Sequence, residues 1–360
     1  MVRSRITLVF GLLLGFLPAF STAPQGPLQP EWERSFDHVY DAALSASAAC
    51  VAVTTSDSLM VIGRDGRELW RWDFRAGNSL LKARDVAVSP ACDWAAFTGD
   101  SGYKYVWIAR RNGQRMAIPF KATPQGIAID HAGRRFAVGS GGNENRLYAV
   151  DGSLLWSRSQ GFVTRSIAFS ADDGWVMETG WDGVVISIAG EVRWSQRLGV
   201  GGMRASRDLG TFVTWAQAGH GGTGGLVSLL DEKGNMLWAR QSAFEPEAAI
   251  SPNGDRIVFR LREDGQREDT REPATSLALF SRDGKVVRKF SGNGIPVMFS
   301  ANGERVLLNR RSRVDVIDLE DRVVWSIPAS REYLTSVRAS ADLEHIVVQE
   351  ENQLSWFTPR

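Results

Sequence analysis

One pattern recurs along this chain with a period that few architectures can use: a turn residue, Gly, three residues, then Trp. It reads DGRELW at Asp65–Trp70, DGSLLW at Asp151–Trp156, AGEVRW at Ala189–Trp194 and KGNMLW at Lys233–Trp238. A weaker copy is EDRVVW at Glu320–Trp325, and two more keep the turn but end on Ala117 and Arg288. Asp-Gly or Asn-Gly between apolar runs signals a hairpin, because these residues tolerate positive φ. The Trp then opens the strand that follows.

A second pattern interleaves with the first: an apolar run, Ser or Asp, a turn, and another apolar run. Examples are VAVSPACDWAAF from Val86, IAFSADDGWVM from Ile167, AAISPNGDRIVF from Ala248 and VMFSANGERVLL from Val297, with weaker copies at Ala42, Ile127, Met203 and Val337. The turn residues are Ser45, Ser89, Asp130, Ser170, Ser206, Ser251, Ser300 and Ser340, spaced 36 to 49 apart. That spacing matches one four-stranded propeller blade of ~40–50 residues. Within each unit, strand A precedes the Ser, strand B follows its turn, strand C is the next apolar run and strand D carries the Trp. No helical period appears after Phe20. A single such sheet cannot bury both faces, so the units must stack about an axis.

The expected fold is therefore all-β: an eight-bladed β-propeller of four-stranded blades, with seven blades as the alternative. The last unit lacks a strand D, whereas EWERSF at Glu31–Phe36 resembles one and places Trp32 where the motif Trp belongs. Joining the two ends would close the ring and remove two sheet edges. The structural Trp set is then Trp32, Trp70, Trp156, Trp194, Trp238 and Trp325.

Ahead of the repeats, Arg3 and Arg5 precede an uncharged apolar run, Ile6–Phe20, followed by the small residues Ser21 and Ala23. The run is shorter than the ~20 residues of a membrane helix and reads as an export signal. A retained anchor is the other reading. The domain division is signal peptide 1–23, linker 24–30 and propeller 31–360. PQGPLQP in the linker belongs to no packed element. Export to the periplasm or exterior permits a disulfide between the two cysteines, Cys50 and Cys92. They fall two positions out of register in the repeat, so two small buried residues is the competing and favoured reading.

The DG-x-x-x-W hairpins resemble the repeats of pyrroloquinoline-quinone-like propellers, which include quinoprotein dehydrogenases and an eight-bladed outer-membrane assembly lipoprotein. The SPNG and SANG hairpins also resemble WD40-like propeller repeats. The resemblance spans Trp32–Phe357 and implies the fold; these repeats are structural, so it implies little about activity. A quinoprotein would need a calcium-binding acidic cluster, a catalytic Asp and a vicinal Cys pair. The cysteines here are far apart in sequence, and bare blades leave no room for insertions over a cofactor.

Other chemistry is weakly signalled. The four histidines, His38, His131, His220 and His345, show no metal-ligand spacing. No nucleophile elbow occurs. GHGGTGG at Gly219–Gly225 lacks the Lys-Ser/Thr of a phosphate loop, and RLREDGQREDTRE at Arg260–Glu272 reads as a solvated insertion. Net charge is +1, which favours neither nucleic acid nor an anionic membrane. A–B and C–D turns are short and uniform. The B–C connections and the link Arg75–Arg84 vary in length and would share the opposite end of the ring. Loop variation on a constant scaffold is where binding usually resides.

The candidate binding face is Asp41, Arg84, Asp85, Gln125, Arg165 and Glu247, ringing the channel mouth, together with His220 in a B–C loop. The sequence assigns no catalytic, cofactor or metal residues. The expected function is a non-enzymatic extracytoplasmic scaffold, a monomeric ring holding a protein partner. A small-ligand or quinoprotein-like enzyme using the channel mouth is the alternative. If the signal is removed, mass spectrometry of the exported protein will find a first residue between Thr22 and Gln25. An intact Met1 in cytosolic extract would refute export.

Overall fold

A computed structural model of the chain describes residues 27–74, 83–99, 104–159, 163–197, 199, 201–217, 225–242, 246–262, 275–292, 294–310, 312–329 and 336–359. The described residues form 32 antiparallel strands and no α-helix. Residues 1–23, the expected signal segment, lie outside them.

Strand β1 (Trp32–Ser35) comes first. The first unit is β2 (Val39–Leu44), β3 (Cys50–Thr55), β4 (Ser58–Gly63) and β5 (Glu68–Asp73). The second is β6 (Ala83–Val88), β7 (Trp94–Gly99), β8 (Tyr105–Arg110) and β9 (Arg115–Pro119). Next come β10 (Pro124–Ile129), β11 (Arg135–Ser140), β12 (Glu144–Ala149) and β13 (Leu154–Ser159). These are followed by β14 (Thr164–Phe169), β15 (Trp175–Gly180), β16 (Asp182–Ser187) and β17 (Val192–Arg197). Then come β18 (Gly202–Ala205), β19 (Thr211–Gln217), β20 (Gly225–Asp231) and β21 (Met236–Ser242). The next four are β22 (Ala248–Ile250), β23 (Arg256–Arg262), β24 (Thr275–Ser281) and β25 (Val286–Phe290). The last are β26 (Ile295–Phe299), β27 (Arg305–Arg310), β28 (Arg313–Asp318) and β29 (Val323–Pro328), then β30 (Ser336–Ala339), β31 (Ile346–Glu350) and β32 (Gln353–Phe357).

These strands build four-stranded meanders in the manner of a β-propeller. Six sheets have four strands; a seventh has eight, because β18–β21 and β22–β25 are joined through one residue pair, Ser242 with Leu261. The junction has a simple cause. β21 and β23 are each seven residues long, so their ends overhang and meet, and Ser242 Oγ donates to the Arg260 carbonyl at 2.8 Å. β2 lies against β6, β6 against β10, β10 against β14, β18 against β22, β22 against β26, and β30 returns to β2. The core is distributed between sheets as separate apolar clusters rather than gathered at one centre.

Turn chemistry sets the strand ends. The Ser side chain accepts the N–H five residues on, from Cys50, Trp94, Trp175, Thr211, Arg256, Arg305 and His345 in turn. Asp130 takes the same part with Arg134 and Arg135. At the C–D turns, Gly66 and Gly284 sit at φ 78° and 79°. A Cβ on either would lie 2.9 Å from the ring of Trp32 or Trp238 in the preceding sheet. The motif Gly therefore serves twice: it adopts the left-handed turn and leaves room for a neighbour's Trp.

Both chain ends share one sheet. β1 pairs with β32, Trp32 opposite Trp356, with ring centroids 6.1 Å apart. Trp32 Nε1 donates to the Arg64 carbonyl at 3.0 Å, as Trp238 Nε1 does to Arg282 at 2.9 Å, so Trp32 occupies a true motif position. Trp70, Trp194, Trp238 and Trp325 are buried, whereas Trp32 and Trp156 are only half-buried. The linker departs from expectation at one residue. Leu28 packs on the apolar cluster of β27–β32, and its N–H donates to the Ser326 carbonyl at 3.1 Å.

Cys50 and Cys92 form a disulfide, with Cα atoms 6.2 Å apart, contrary to the favoured expectation of two small buried thiols. Their offset in the repeat is what lets them meet. A turn residue of one sheet overlies the start of strand B in the sheet before it, as Gly254 overlies Thr211.

Trp32→Ala is expected to cost about 3 kcal/mol and lower the melting temperature of the whole ring. Deleting residues 1–26 should leave the melt unchanged. Deleting through Phe36 should expose β32 and cause aggregation. Equal melts for the two truncations would exclude a structural role for β1.

Candidate functional site

The first strands of the sheets form the inner wall. On β6, the positions three and one before the turn Ser, Val86 and Val88, are buried, while Asp85 and Ala87 remain partly accessible. Asp41, Asp85 and Glu247 occupy the same place in their repeats, each four residues before its turn Ser. Each of the three is half-buried.

Two of these carboxylates have a definable task. β6 and β10 each carry a bulge, between Ala83 and Val86 and between Pro124 and Ile127. A bulge leaves a backbone N–H without its ladder partner. Asp41 Oδ2 accepts the Val86 N–H at 3.0 Å, and Asp85 Oδ2 accepts the Gly126 N–H at 3.1 Å. Thr98 also donates its hydroxyl to Asp85 at 3.2 Å. Each carboxylate thus stitches its own sheet to the next.

Asp41 is further approached by Arg338 at 3.7 Å, across the meeting of the first and last sheets. Burial pushes the Asp41 carboxyl up to about 6; the Val86 N–H and the Arg338 charge oppose this, and Asp85 adds to it. Glu247 lies near enough to Arg204 for its charge to favour the guanidinium, while burial and Arg338 act the other way and leave Arg204 below its usual value. The Arg204 guanidinium also lies 5.8 Å from the Trp215 ring centre.

Of the remaining predicted residues, Arg84 is exposed and Gln125 is half-buried against Gly141. The Arg165 side chain and His220 lie outside the described residues. So do the link 75–82, residues 100–103, nearly all of GHGGTGG, and residues 263–272 of the charged insertion. Arg204 and Arg338 were missed by sequence reasoning. The signal was present: two residues before the turn, five repeats carry Ala (Ala43, Ala87, Ala128, Ala168 and Ala249), whereas three carry Arg204, Met298 and Arg338.

The wall can therefore offer paired charge and hydrogen-bonding groups. Among the described residues, no group of three or more His, Cys, Asp or Glu is placed to hold a metal ion. No described helix is long and apolar enough to cross a membrane. A surface depression of about 500 Å³, lined by Arg110, Arg115, Met116 and Asp151, lies between outer hairpins and away from the predicted face.

No family model matches the chain, and no curated protein matches it. Among solved structures, the fold is similar to that of Kuenenia stuttgartiensis hydrazine synthase. That likeness has 13% identity and a TM-score of 0.56, and covers 96% of this chain and 99% of that one. At this identity it speaks for the fold alone.

Asp41 makes stability pH-dependent with a definite sign. Its folded value of about 6 lies above the ordinary 3.8, so between these limits the folded state binds the extra proton. The stabilisation is complete below about pH 4 and is lost as pH rises through 6. Asp41→Asn keeps an acceptor for the Val86 N–H but cannot ionise. It should match the wild type near pH 4 and exceed it by about 1–3 kcal/mol at pH 8. Parallel melting curves across that range would overturn the assignment.

Proposed function

We propose that this chain is an exported, non-enzymatic, eight-bladed propeller of the pyrroloquinoline-quinone-like repeat class. It holds a protein partner through its B–C and D–A loop face. Eight blades follow if the eight-stranded sheet counts as two units bridged at Ser242 and Leu261, since each half carries its own turn Ser and its own C–D Gly.

The observation that carries the reading is the difference between the two ends of the ring. At the A–B end, seven Ser side chains and Asp130 make one repeated capping bond. That end is occupied by the needs of the frame. Connection length varies only at the other end, which is the usual place for recognition. The Cys50–Cys92 disulfide is the kind of bond an oxidising compartment maintains, which supports export. Mixed charge from Asp41, Asp85, Arg84 and Glu247 at that mouth suits a polar protein contact better than an apolar small molecule.

Photo-crosslinking side chains placed at Arg84 and Gln125, in protein expressed in its native envelope, should capture one defined partner. The same groups at Asn112 and Asp151, on the opposite end, should not. Equal capture from both ends would remove the reading. A quinone-like absorbance that survives dialysis would replace it with the enzyme alternative.

A further inference from the structure

The outer strands carry a feature that neither the frame nor the loop face requires. Directly after the C–D turn, consecutive sheets present exposed aliphatic residues: Leu154 and Leu155, Val192, Met236 and Leu237, Val286 and Val287, and Val323. Leu154 and Met236 are each 52% exposed and Val287 is 60% exposed. The same place in β5 and β9 is taken by the charged residues Glu68 and Arg115, so the frame does not demand an apolar residue there. The result is an apolar arc on the part of the perimeter formed by β13, β17, β21, β25 and β29.

Three observations select what covers it. First, β13, β17, β25 and β29 each end a sheet, so their outer backbone groups are the open side of a ladder. Second, the chain already uses one such edge: the Leu28 N–H donates to the Ser326 carbonyl of β29, and Leu28 packs on the cluster beside it. Third, the five outer strands contain Arg158, Arg193, Arg197, Arg240, Arg288 and Lys289 but no carboxylate. Arg193 faces Glu232 at 4.0 Å and Arg288 faces Glu320 at 2.7 Å. Arg158 donates to the Gly190 carbonyl, and Arg240 to the carbonyls of Gly284 and Ala239; no carboxylate is paired with either among the described residues.

The charge pattern disfavours a second copy of this chain, because edge-to-edge pairing would oppose like charges. The curved perimeter disfavours a bilayer, since a flat surface cannot touch outer strands around an arc of five repeats. We propose that this arc docks an extended segment of a partner protein, alternating aliphatic and acidic residues, which adds as a further strand to β13 or β25. Main-chain hydrogen bonds supply the attachment, aliphatic contacts supply desolvation, and the cations select the acidic register. This surface is separate from the loop face of the proposed function, and neither depends on the other.

The test uses the full mature chain and a fluorescein-labelled octapeptide of alternating valine and glutamate, followed by anisotropy. The controls are an alternating valine–lysine peptide and a valine–glutamate peptide N-methylated along one edge. Leu154→Glu with Val286→Glu copies the side chain that β5 already carries at this place, and an unchanged melt will verify folding. The proposal expects saturable binding of the valine–glutamate peptide. It expects binding about tenfold or more weaker for the lysine peptide, the N-methylated peptide and the double variant. Equal binding of both charge types would mean apolar adhesion only. Unchanged affinity in the double variant would place the peptide elsewhere, and no binding at all would leave the arc without this role; each result overturns the proposal. Loop-face crosslinking at Arg84 should be the same in the wild type and the double variant.

Discussion

The contact on which the rest depends is a Trp ring of one sheet lying over the left-handed Gly turn of the next. It recurs as Trp32 over Gly66, Trp156 over Gly190, Trp194 over Gly234 and Trp238 over Gly284. The motifs at Gly190 and Gly234 both give and receive: the Gly accepts the ring of the sheet before, and the Trp four residues on covers the Gly of the sheet after, whereas Gly152 meets Met116 in place of a Trp and nothing lies within 4 Å of a Cβ at Gly113. An aromatic of this size buries roughly 150–250 Å², which makes it the largest single piece of the joint between sheets. A chain of such joints is nearly one-dimensional, each unit depending on its neighbours. Its ends would be weak without a partner. Trp32 supplies the missing member by stacking on Trp356 within its own sheet while reaching Gly66 in the next.

This explains why strand order was legible in the sequence and some detail was not. Gly-x-x-x-Trp couples two sheets through a spacing that can be read directly. The A–B turns are less open. The third residue after each turn Ser or Asp is left-handed in every repeat: Ala48, Cys92, Gly133, Asp173, Leu209, Gly254, Gly303 and Leu343. Only three are Gly. A side chain in that conformation costs roughly 1–2 kcal/mol, and at Leu209 and Leu343 burial of the side chain offsets it. A reader looking for Gly sees three turns where there are eight. Cys92 occupies this same place, so its side chain is aimed at the neighbouring sheet and meets Cys50. The two-position offset that argued against a disulfide is the offset between a turn tip and the strand it overlies.

The inner wall was legible to a different degree. Position in the repeat placed Asp41, Asp85 and Glu247 together at the mouth, and in the structure Asp41 and Asp85 each reach the first strand of the next sheet. Their roles could not be inferred, because those roles follow from bulges in β6 and β10 that free the Val86 and Gly126 N–H groups. A bulge depends on how two strands pair, which no single strand records. Arg204 and Arg338 were available to inspection as departures from a column of Ala, yet reading each repeat along its length hides a column across repeats.

Comparison by column separates what the frame requires from what it merely tolerates. Turn Ser, left-handed turn residue, motif Gly and motif Trp recur because they build the turns and the joints between sheets, and single departures such as Asp130, Ala117 and Arg288 are tolerated. Asp41 and Asp85 vary among sheets, yet they still serve the frame, since each satisfies a backbone N–H of its neighbour. Arg338 is partly explained in the same way, by its approach to Asp41 across the seam between first and last sheets. Arg204 and the exposed aliphatic pairs of β13, β21 and β25 satisfy no backbone group and fill no joint. Ala at the Arg204 position in five repeats, and Glu68 or Arg115 at the aliphatic position in two, show that the fold is built as well without them. Residues that a repeat does not need, placed where the repeat leaves them accessible, are the ones whose chemistry bears on recognition.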